Sequence, residues 1–336
     1  MNELSRIAVS FLPVFVFLAI LIVLDSYKLV KLSSILLAVL VGCGVAVGSW
    51  FFNRWLLPSS TLDLQSFSRY VAPVVEECLK ALYLVFLIKS PKVGFMVDSA
   101  IYGFAVGAGF ALVENVYYLN SLQDSNLLLW AVRGFGTAIM HGGTTAIFGI
   151  VSKNLADRKS SGQLFVFLPG LGMAILIHSV FNHFILPPVL TTLSLLISLP
   201  LLLILVFDLS EKSLRHWLGV GFDSDMALLQ MIASGNISDT PLGQYLLSLK
   251  TRFPGGIVAD MFCLLRIHLE LSLRAKGILM MRETGFKTVA DPEMEERFAE
   301  LRYLEKSIGK TGKLAILPFL HTSSRDLWQL HLLAQD

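Results

Sequence analysis

Long apolar runs separated by short polar breaks make up the first 207 residues of the chain. Seven of these runs approach the roughly 20 residues that a membrane-crossing helix needs. They lie at about 7–25, 30–52, 70–88, 95–119, 127–152, 163–186 and 188–207. Pro187 and Pro188 mark a sharp turn between the last two runs. The pattern predicts a polytopic membrane helix bundle with about seven transmembrane helices.

The pattern changes over residues 208–336. Apolar residues recur at helical spacing after the FPGG sequence at 253–256, and Glu/Lys pairs at helical spacing follow Asp291 and Pro292. The two patterns together predict an all-α protein, with a transmembrane bundle at 1–207 and a soluble helical domain at 208–336. The second domain shows no catalytic motif and is interpreted as a docking or regulatory module for a cytoplasmic protein partner.

Composition agrees with this division. Charged residues make up 15% of the chain, against about 25% in typical soluble proteins. Residues 1–207 are the longer part but hold only 21 of the 52 charged residues. The net charge of +2 does not indicate nucleic-acid binding. Three widely spaced cysteines indicate neither a disulfide framework nor a zinc knuckle.

The distribution of Lys and Arg over the short loops predicts the orientation of the bundle. One set of loops carries seven of these residues: Lys28, Lys31, Lys89, Lys92, Lys153, Arg158 and Lys159. The other set carries Arg6, Arg54 and Arg69. Because cytoplasmic loops are enriched in positive charge, the first set is predicted to be cytoplasmic. We therefore expect a multi-pass protein of the bacterial inner or plasma membrane, with residues 208–336 in the cytoplasm.

Several polar residues interrupt the apolar runs. They are Glu76, Glu77, Lys80, Glu114, Arg133, His141, His178, Asn182 and His183. A charged group at mid-bilayer costs a few kcal/mol even on lenient scales, so such groups usually face the bundle interior and mark function. At about 1.5 Å per residue, most of the ionisable groups lie about 8–12 Å below the outer membrane edge, and His141 lies about 21 Å deep. Independent spans thus place ionisable groups in one layer.

The positions of these residues around their helices show which of them share a face. Glu76 and Lys80 are four residues apart and share a helix face, as do His178 and Asn182. The set offers a proton acceptor, histidines and an amide donor, which are the groups needed to activate water and to hold an oxyanion. Arg133 is interpreted as neutralising a glutamate, and His183 faces away from the site. Single Glu–Lys pairs could simply hold helices together, but the shared layer favours a functional site.

Four sequence blocks in order resemble the PrsW family of intramembrane proteases, distant relatives of the CAAX prenyl proteases and the Abi proteins. They are EECLK at 76–80, DSAIYGFAVGAGFALVEN at 98–115, RGFGTAIMHGGTTAIFG at 133–149 and HSVFN at 178–182, and the similarity covers about 70–186. The resemblance implies cleavage of a membrane protein, such as an anti-sigma factor or another signalling protein, near the outer membrane face. It implies essential roles for Glu76, Glu77 and His178. It also implies that Glu114 and His141 complete the site and that Lys80 and Asn182 support it.

Two mechanisms remain open from the residues. In one, a glutamate acts as a general base on water without a metal. In the other, zinc is held by a set drawn from Glu76, Glu77, His141 and His178. The absence of an H-E-x-x-H motif favours the metal-free version. A proton-coupled transporter and a non-proteolytic membrane scaffold are the alternative functions, but the charges cluster near one face instead of forming a path across the membrane.

Overall fold

The computed structural model describes residues 3–25, 27, 29–90, 92–121, 126–158, 163–286, 293–320, 328–329 and 333. Backbone contacts divide the chain into two units, Met1–Glu211 and Lys212–Asp336. The described residues form helices and turns and contain no strand. The prediction of an all-α protein is therefore confirmed.

Nine helices of the described chain begin in the first unit. They are α1 (Glu3–Leu24), α2 (Leu32–Leu56), α3 (Leu64–Ser66), α4 (Ala72–Lys89), α5 (Met96–Ser121), α6 (Leu127–Ala131), α7 (Ala138–Arg158), α8 (Leu168–Asn182) and α9 (Pro188–Ala233). A π-helical turn at Phe67–Val71 joins α3 to α4, and a second at Val132–Thr137 joins α6 to α7. Such turns are rare and occur often at functional sites.

Five helical segments of the described chain are long and apolar enough to cross a membrane. They are Ser5–Leu24, Leu32–Ser59, Met96–Ser121, Leu164–Asn182 and Pro188–Ala233. The two other runs predicted to span, 70–88 and 127–152, are also helical but carry charged residues and glycines. The exact count of seven spans therefore stays a prediction.

Helix α5 lies at the centre of the first unit, with 83% of its most apolar stretch buried. Glycines bring its neighbours unusually close. A Cβ atom added to Gly107 would lie 2.1 Å from the backbone oxygen of His141, and one added to Gly42 would lie 2.0 Å from that of Val106. Small residues allow membrane helices to pack backbone against backbone. The sequence of α5 thus places α7 directly against it, with His141 at the contact.

The second unit has its own core. It contains α10 (Pro241–Ser248), α11 (Gly255–Glu283) and α12 (Met294–Ile316). Leu264 and Leu265 of α11 are each 1% exposed and lie in a cluster of buried aliphatic side chains. A buried ion pair joins Lys276 to Asp225 at 2.6 Å, and Ser272 donates to the same carboxylate. That this unit is a soluble cytoplasmic domain stays a prediction.

Candidate active site

Four helices of the first unit contribute to one polar cluster in its interior. Helix α4 supplies Glu76, Glu77 and Lys80, α5 supplies Glu114, α7 supplies His141 and α8 supplies His178. Two side chains of α8 donate hydrogen bonds to backbone carbonyls of the π-helical turn that precedes α4. Ser179 Oγ donates to the Arg69 carbonyl at 2.6 Å, and Asn182 Nδ2 donates to the Ser68 carbonyl at 3.0 Å. These bonds bring His178 to the level of the glutamates.

Glu77 is the most completely bonded carboxylate of the cluster. Its Oε1 atom accepts hydrogen bonds from Lys80 Nζ at 2.8 Å, His178 Nδ1 at 2.8 Å and Thr144 Oγ1 at 3.3 Å. The Glu77 side chain is only 2% exposed. Buried charges are tolerated when they are paired and hydrogen-bonded. Glu77 therefore has the surroundings of a structural anion that holds its neighbours in place.

The bond to Glu77 also fixes the state of His178. Because the carboxylate can only accept, Nδ1 of His178 carries the hydrogen that it donates to Glu77. In the neutral ring, Nε2 then presents a lone pair. This Nε2 lies 3.8 Å from Glu76 Oε2, too far for a direct hydrogen bond.

His141 is engaged through both ring nitrogens. Lys80 Nζ donates to its Nδ1 at 2.9 Å, which places the hydrogen of a neutral ring on Nε2. Nε2 lies 3.0 Å from Glu114 Oε2 and donates to it. The ring also packs edge-on against His178, with centroids 4.8 Å apart. His141 is 1% exposed, so Lys80, His141 and Glu114 form one chain of hydrogen bonds that runs from the buried lysine to the partly exposed glutamate.

Glu76 has fewer partners than Glu77. Its Oε1 atom accepts one hydrogen bond, from Asn53 Nδ2 at 3.4 Å. Its side chain is 16% exposed and lies on the wall of a cleft of about 620 Å³. Glu114, 28% exposed, lies on the same wall. The adjacent residues Glu76 and Glu77 therefore differ in environment. Glu77 is enclosed, whereas Glu76 faces the open space of the cleft.

Arg133 lies beside this cleft. Its Nη2 atom is 3.6 Å from Glu114 Oε2, and its guanidinium lies 3.6 Å from the centre of the Tyr118 ring. The Nε and Nη2 atoms are buried and have no hydrogen-bond partner among the described residues. The contact agrees with the predicted neutralising role. The guanidinium thus places a buried positive charge next to a glutamate that lines the cleft.

Two polar residues near the end of α8, Asn182 and His183, bond to groups outside the polar cluster. Asn182 shares a face with His178, but its amide nitrogen is bonded to the Ser68 carbonyl instead of a cluster member. Its supporting role stays a prediction. His183, which sequence phase left out of the site, contacts the Ser179 carbonyl and the Tyr70 ring.

Two polar residues of the site were missed by reasoning from the sequence. Thr144 bonds Glu77, and Asn53 bonds Glu76. Thr144 follows His141 by three residues, so it was detectable as a polar group on the same helix face. Asn53 was detectable as an amide near the outer end of its span. Neither side chain is ionisable, so neither carries the high cost of a charge in the membrane that marked the other residues.

An all-helical bundle with apolar helices and a cluster of carboxylates and histidines indicates a membrane protein with the groups of a hydrolase. A model of the family described as PrsW family intramembrane metalloprotease matches residues 28–207, more than half of the chain. The chain belongs to this family, and the predicted resemblance is confirmed. No curated protein and no solved structure matches the chain. The protein is thus an intramembrane protease by family.

The family description raises the question of whether the cluster suits a metal. Glu76, His141 and His178 each offer a ligand atom, and these atoms lie within 4.8 Å of one another. Two histidines and one carboxylate form a donor set found in catalytic zinc sites. His141 would have to release one of its two hydrogen bonds, to Lys80 or to Glu114. The residues therefore fit zinc in donor type, after one exchange of partners.

Proposed function

We propose that the protein cleaves a peptide bond of a membrane protein near the outer membrane face, using water held between Glu76 and His178. The observation that carries this proposal is the contrast between the two glutamates. Glu77 is enclosed and accepts three hydrogen bonds through one oxygen, whereas Glu76 faces the cleft and lies 3.8 Å from the lone pair of His178. Of the two, Glu76 has the freedom that a general base needs.

The chemistry follows from these contacts. Water donates one hydrogen to Glu76 and one to His178 Nε2, which leaves an oxygen lone pair directed into the cleft. As the oxygen attacks the substrate carbonyl, Glu76 takes a proton and a tetrahedral intermediate forms. Collapse of this intermediate breaks the C–N bond, and Glu76 returns the proton to the leaving nitrogen. Glu77 and Lys80 act as positioning residues because they fix the rings of His178 and His141.

The negative charge on the carbonyl oxygen needs a donor during this step. Arg133 lies 3.6 Å from Glu114, which lines the cleft, and its Nε and Nη2 atoms have no hydrogen-bond partner among the described residues. Donors already in place where charge develops contribute strongly to acyl transfer. We assign oxyanion stabilisation to Arg133. His141 contributes by holding Glu114 next to it.

Zinc fits the same site. Glu76, His141 and His178 would hold it, and Glu77 would orient His178 from behind through Nδ1. A bound zinc ion supplies a Lewis acid that makes coordinated water easier to deprotonate. The role of Glu77 is the same in both versions, because its bond to His178 Nδ1 leaves Nε2 open. Lys80 would keep its bond to Glu77 but would lose its bond to His141 if Nδ1 of that ring held zinc.

Metal content separates the two versions. If zinc is the cofactor, the purified protein should contain about one zinc per chain, and His178→Ala should lower that content at least tenfold. Elemental mass spectrometry measures this, and a chelator should abolish cleavage until zinc is returned. A His216→Ala variant, changed outside the cluster, is the matched control. Full cleavage by metal-free protein would exclude zinc and support the version with Glu76 as the base.

The position of the site in the membrane supports cleavage near the outer face. With the predicted orientation, the outer ends of α2 and α5 and the start of α4 line the cleft. We propose that the protein is a multi-pass protein of the cell membrane. In this orientation residues 208–336 are cytoplasmic, and they offer a separate folded unit for a protein partner.

A comparison of membrane-protein fragments tests the proposed function. Cells that produce the wild type should contain membrane-protein termini that are absent with a Glu76→Gln/Glu77→Gln double variant, because the double variant lacks both the base and the group that orients His178. Terminal sequencing by mass spectrometry identifies them. A Glu295→Gln/Glu296→Gln variant, changed in α12, should leave the fragments unchanged. Identical fragments from wild type and double variant would contradict the proposal.

A further inference from the structure

Helix α1 lies before the region of the chain that matches the family. The match covers residues 28–207, whereas α1 ends at Leu24. The polar cluster of the active site uses side chains of α4, α5, α7 and α8. Only 28% of the most apolar stretch of α1 is buried. The contacts of α1 with the bundle nevertheless include two at chain segments that carry residues of the cleft.

Pro13 makes one backbone carbonyl of α1 available for such a contact. Proline has no backbone N–H, so the Val9 carbonyl lacks the partner that it would have in a regular helix. Two segments of the bundle meet α1 at this level. Asn115 Nδ2 donates to the Ser10 carbonyl at 2.9 Å, and a Cβ atom added to Gly134 would lie 1.9 Å from the Val9 oxygen. The turn of α1 that Pro13 opens is therefore a point of close attachment.

Both attached residues are next in sequence to a charged residue of the site. Asn115 follows Glu114, and Gly134 follows Arg133. The side chains of Glu114 and Arg133 lie 3.6 Å apart. Asn115 is 1% exposed, and a buried amide is costly unless it is hydrogen-bonded. Its bond to α1 therefore holds the helix against the two segments that carry this ion pair.

The π-helical turn at Val132–Thr137, which carries Arg133, is held from two sides. Gly134 lies against α1, as described above. On the other side, a Cβ atom added to Gly136 would lie 2.5 Å from Thr192 Oγ1 of α9. The two glycines thus let the turn pack tightly between α1 and α9, and any larger residue at either position would push it away. The position of α1 therefore helps to determine where the turn lies.

We propose that α1 positions the Arg133 guanidinium and that Asn115 is the positioning residue that fixes α1 for this role. The inference rests on the proposed function, in which Arg133 stabilises the oxyanion. A displaced α1 would release Gly134 and let the turn move together with Arg133. A misplacement of about 1 Å can cost a large factor in rate. Because the oxyanion forms only during the reaction, such a shift lowers kcat and leaves KM unchanged.

Fluorine NMR of the full-length protein in detergent tests the attachment of α1 without a substrate. The Trp130 ring lies two residues before the turn, is 0% exposed and is 5.9 Å from the Arg6 guanidinium of α1. A fluorinated tryptophan at this position therefore reports on α1, and Trp130→Phe assigns its signal. Asn115→Leu should shift or broaden this signal. Asn120→Leu, which changes an exposed amide of the same helix, should not. An unchanged Trp130 signal in Asn115→Leu would overturn the inference.

Cleavage kinetics test the positioning of Arg133. The substrate is a membrane protein whose fragment depends on the two glutamates in the comparison described above. Asn115→Leu should lower kcat about tenfold per folded protein, with KM unchanged. In an Arg133→Gln background the same substitution should cost less than about twofold, because the residue through which it acts is absent. Equal losses in the two backgrounds would show a purely structural role and would overturn the inference.

Pro13→Ala disturbs the same contact from the side of α1 and keeps the buried amide. Alanine supplies the N–H that the Val9 carbonyl lacks and favours a straight helix, so the thermal midpoint should be equal to or above that of the wild type. The Trp130 signal should shift, and kcat should fall as in Asn115→Leu. A shifted signal with the kcat of the wild type would overturn the positioning role of α1. A shifted signal without any glutamate-dependent cleavage by the wild type would support the attachment of α1 and contradict the proposed function.

Discussion

A Glu76→Gln variant is expected to lose cleavage by about 10²- to 10⁴-fold, the range typical of a lost general base. Its thermal midpoint in detergent should be equal to or above that of the wild type. The reason is that the Glu76 carboxylate is partly exposed and accepts one long hydrogen bond, from Asn53 at 3.4 Å. A glutamine keeps that bond and removes a charge from the membrane interior. Cleavage of a membrane substrate and thermal unfolding of the same preparation measure both effects.

Glu77→Gln provides the sharp comparison, because the two positions are adjacent and the substitution is the same. It should lower both cleavage and stability, since it leaves the buried Lys80 ammonium without its anion. Glu295→Gln, an exposed change in the second unit, is the neutral control. A Glu76→Gln protein that cleaves within threefold of the wild type, or a Glu77→Gln protein that loses cleavage with unchanged stability, would contradict the assigned roles.

Lys80→Met is expected to destabilise the protein by about 3–5 kcal/mol, the usual effect of removing one partner of a buried ion pair. Lys80 is 0% and Glu77 2% exposed, and their charged atoms lie 2.8 Å apart. Without the lysine, Glu77 remains as a buried carboxylate with no cation among its hydrogen-bonding partners. Thermal unfolding in detergent, followed by tryptophan fluorescence, measures the loss. Lys89→Met, at the exposed end of the same helix, should have little effect.

The double variant Lys80→Met/Glu77→Gln separates stability from function. Removing both charges should restore most of the lost stability, because replacing a complete buried pair is often nearly neutral. Cleavage should stay low, since His178 then lacks the anion that holds its Nδ1 hydrogen. A coupling energy below about 1 kcal/mol in this cycle would show that the pair does not act as a unit. That result would remove the proposed positioning role of Lys80.

The apolar runs were enough to predict an all-helical membrane protein, because hydrophobic length depends on local sequence. Polar residues inside those runs indicated a site, since unpaired charges are costly in a membrane. The count of residues from the helix ends was less accurate. It placed His141 about 13 Å deeper than Glu114 at 1.5 Å per residue, yet the two side chains form a 3.0 Å hydrogen bond. The His141 backbone contacts Gly107, two helical turns from Glu114, so the two side chains cross most of this separation.

The roles of the adjacent glutamates depended on tertiary structure. Glu76 and Glu77 are one residue apart and differ by about 100° in direction around α4. Which of them faces α8 and which faces the cleft depends on the rotation of α4, and this is determined by packing against α7 and α8. The hydrogen bonds of Thr144 and Asn53 likewise join residues that are distant along the chain. The order of the spans and the identity of their polar groups do not specify such contacts.

The sequence by itself determined the class of protein, the family and the ionisable residues that form the cluster, because these follow from hydrophobic length, charge and motif order. Only the tertiary structure decided that Glu77 anchors His178 and that Glu76 faces the open cleft. The physical reason is that partners and exposure depend on the rotation and spacing of whole helices. In this bundle, glycine contacts between α2, α5 and α7 contribute to the spacing and the rotation of these helices.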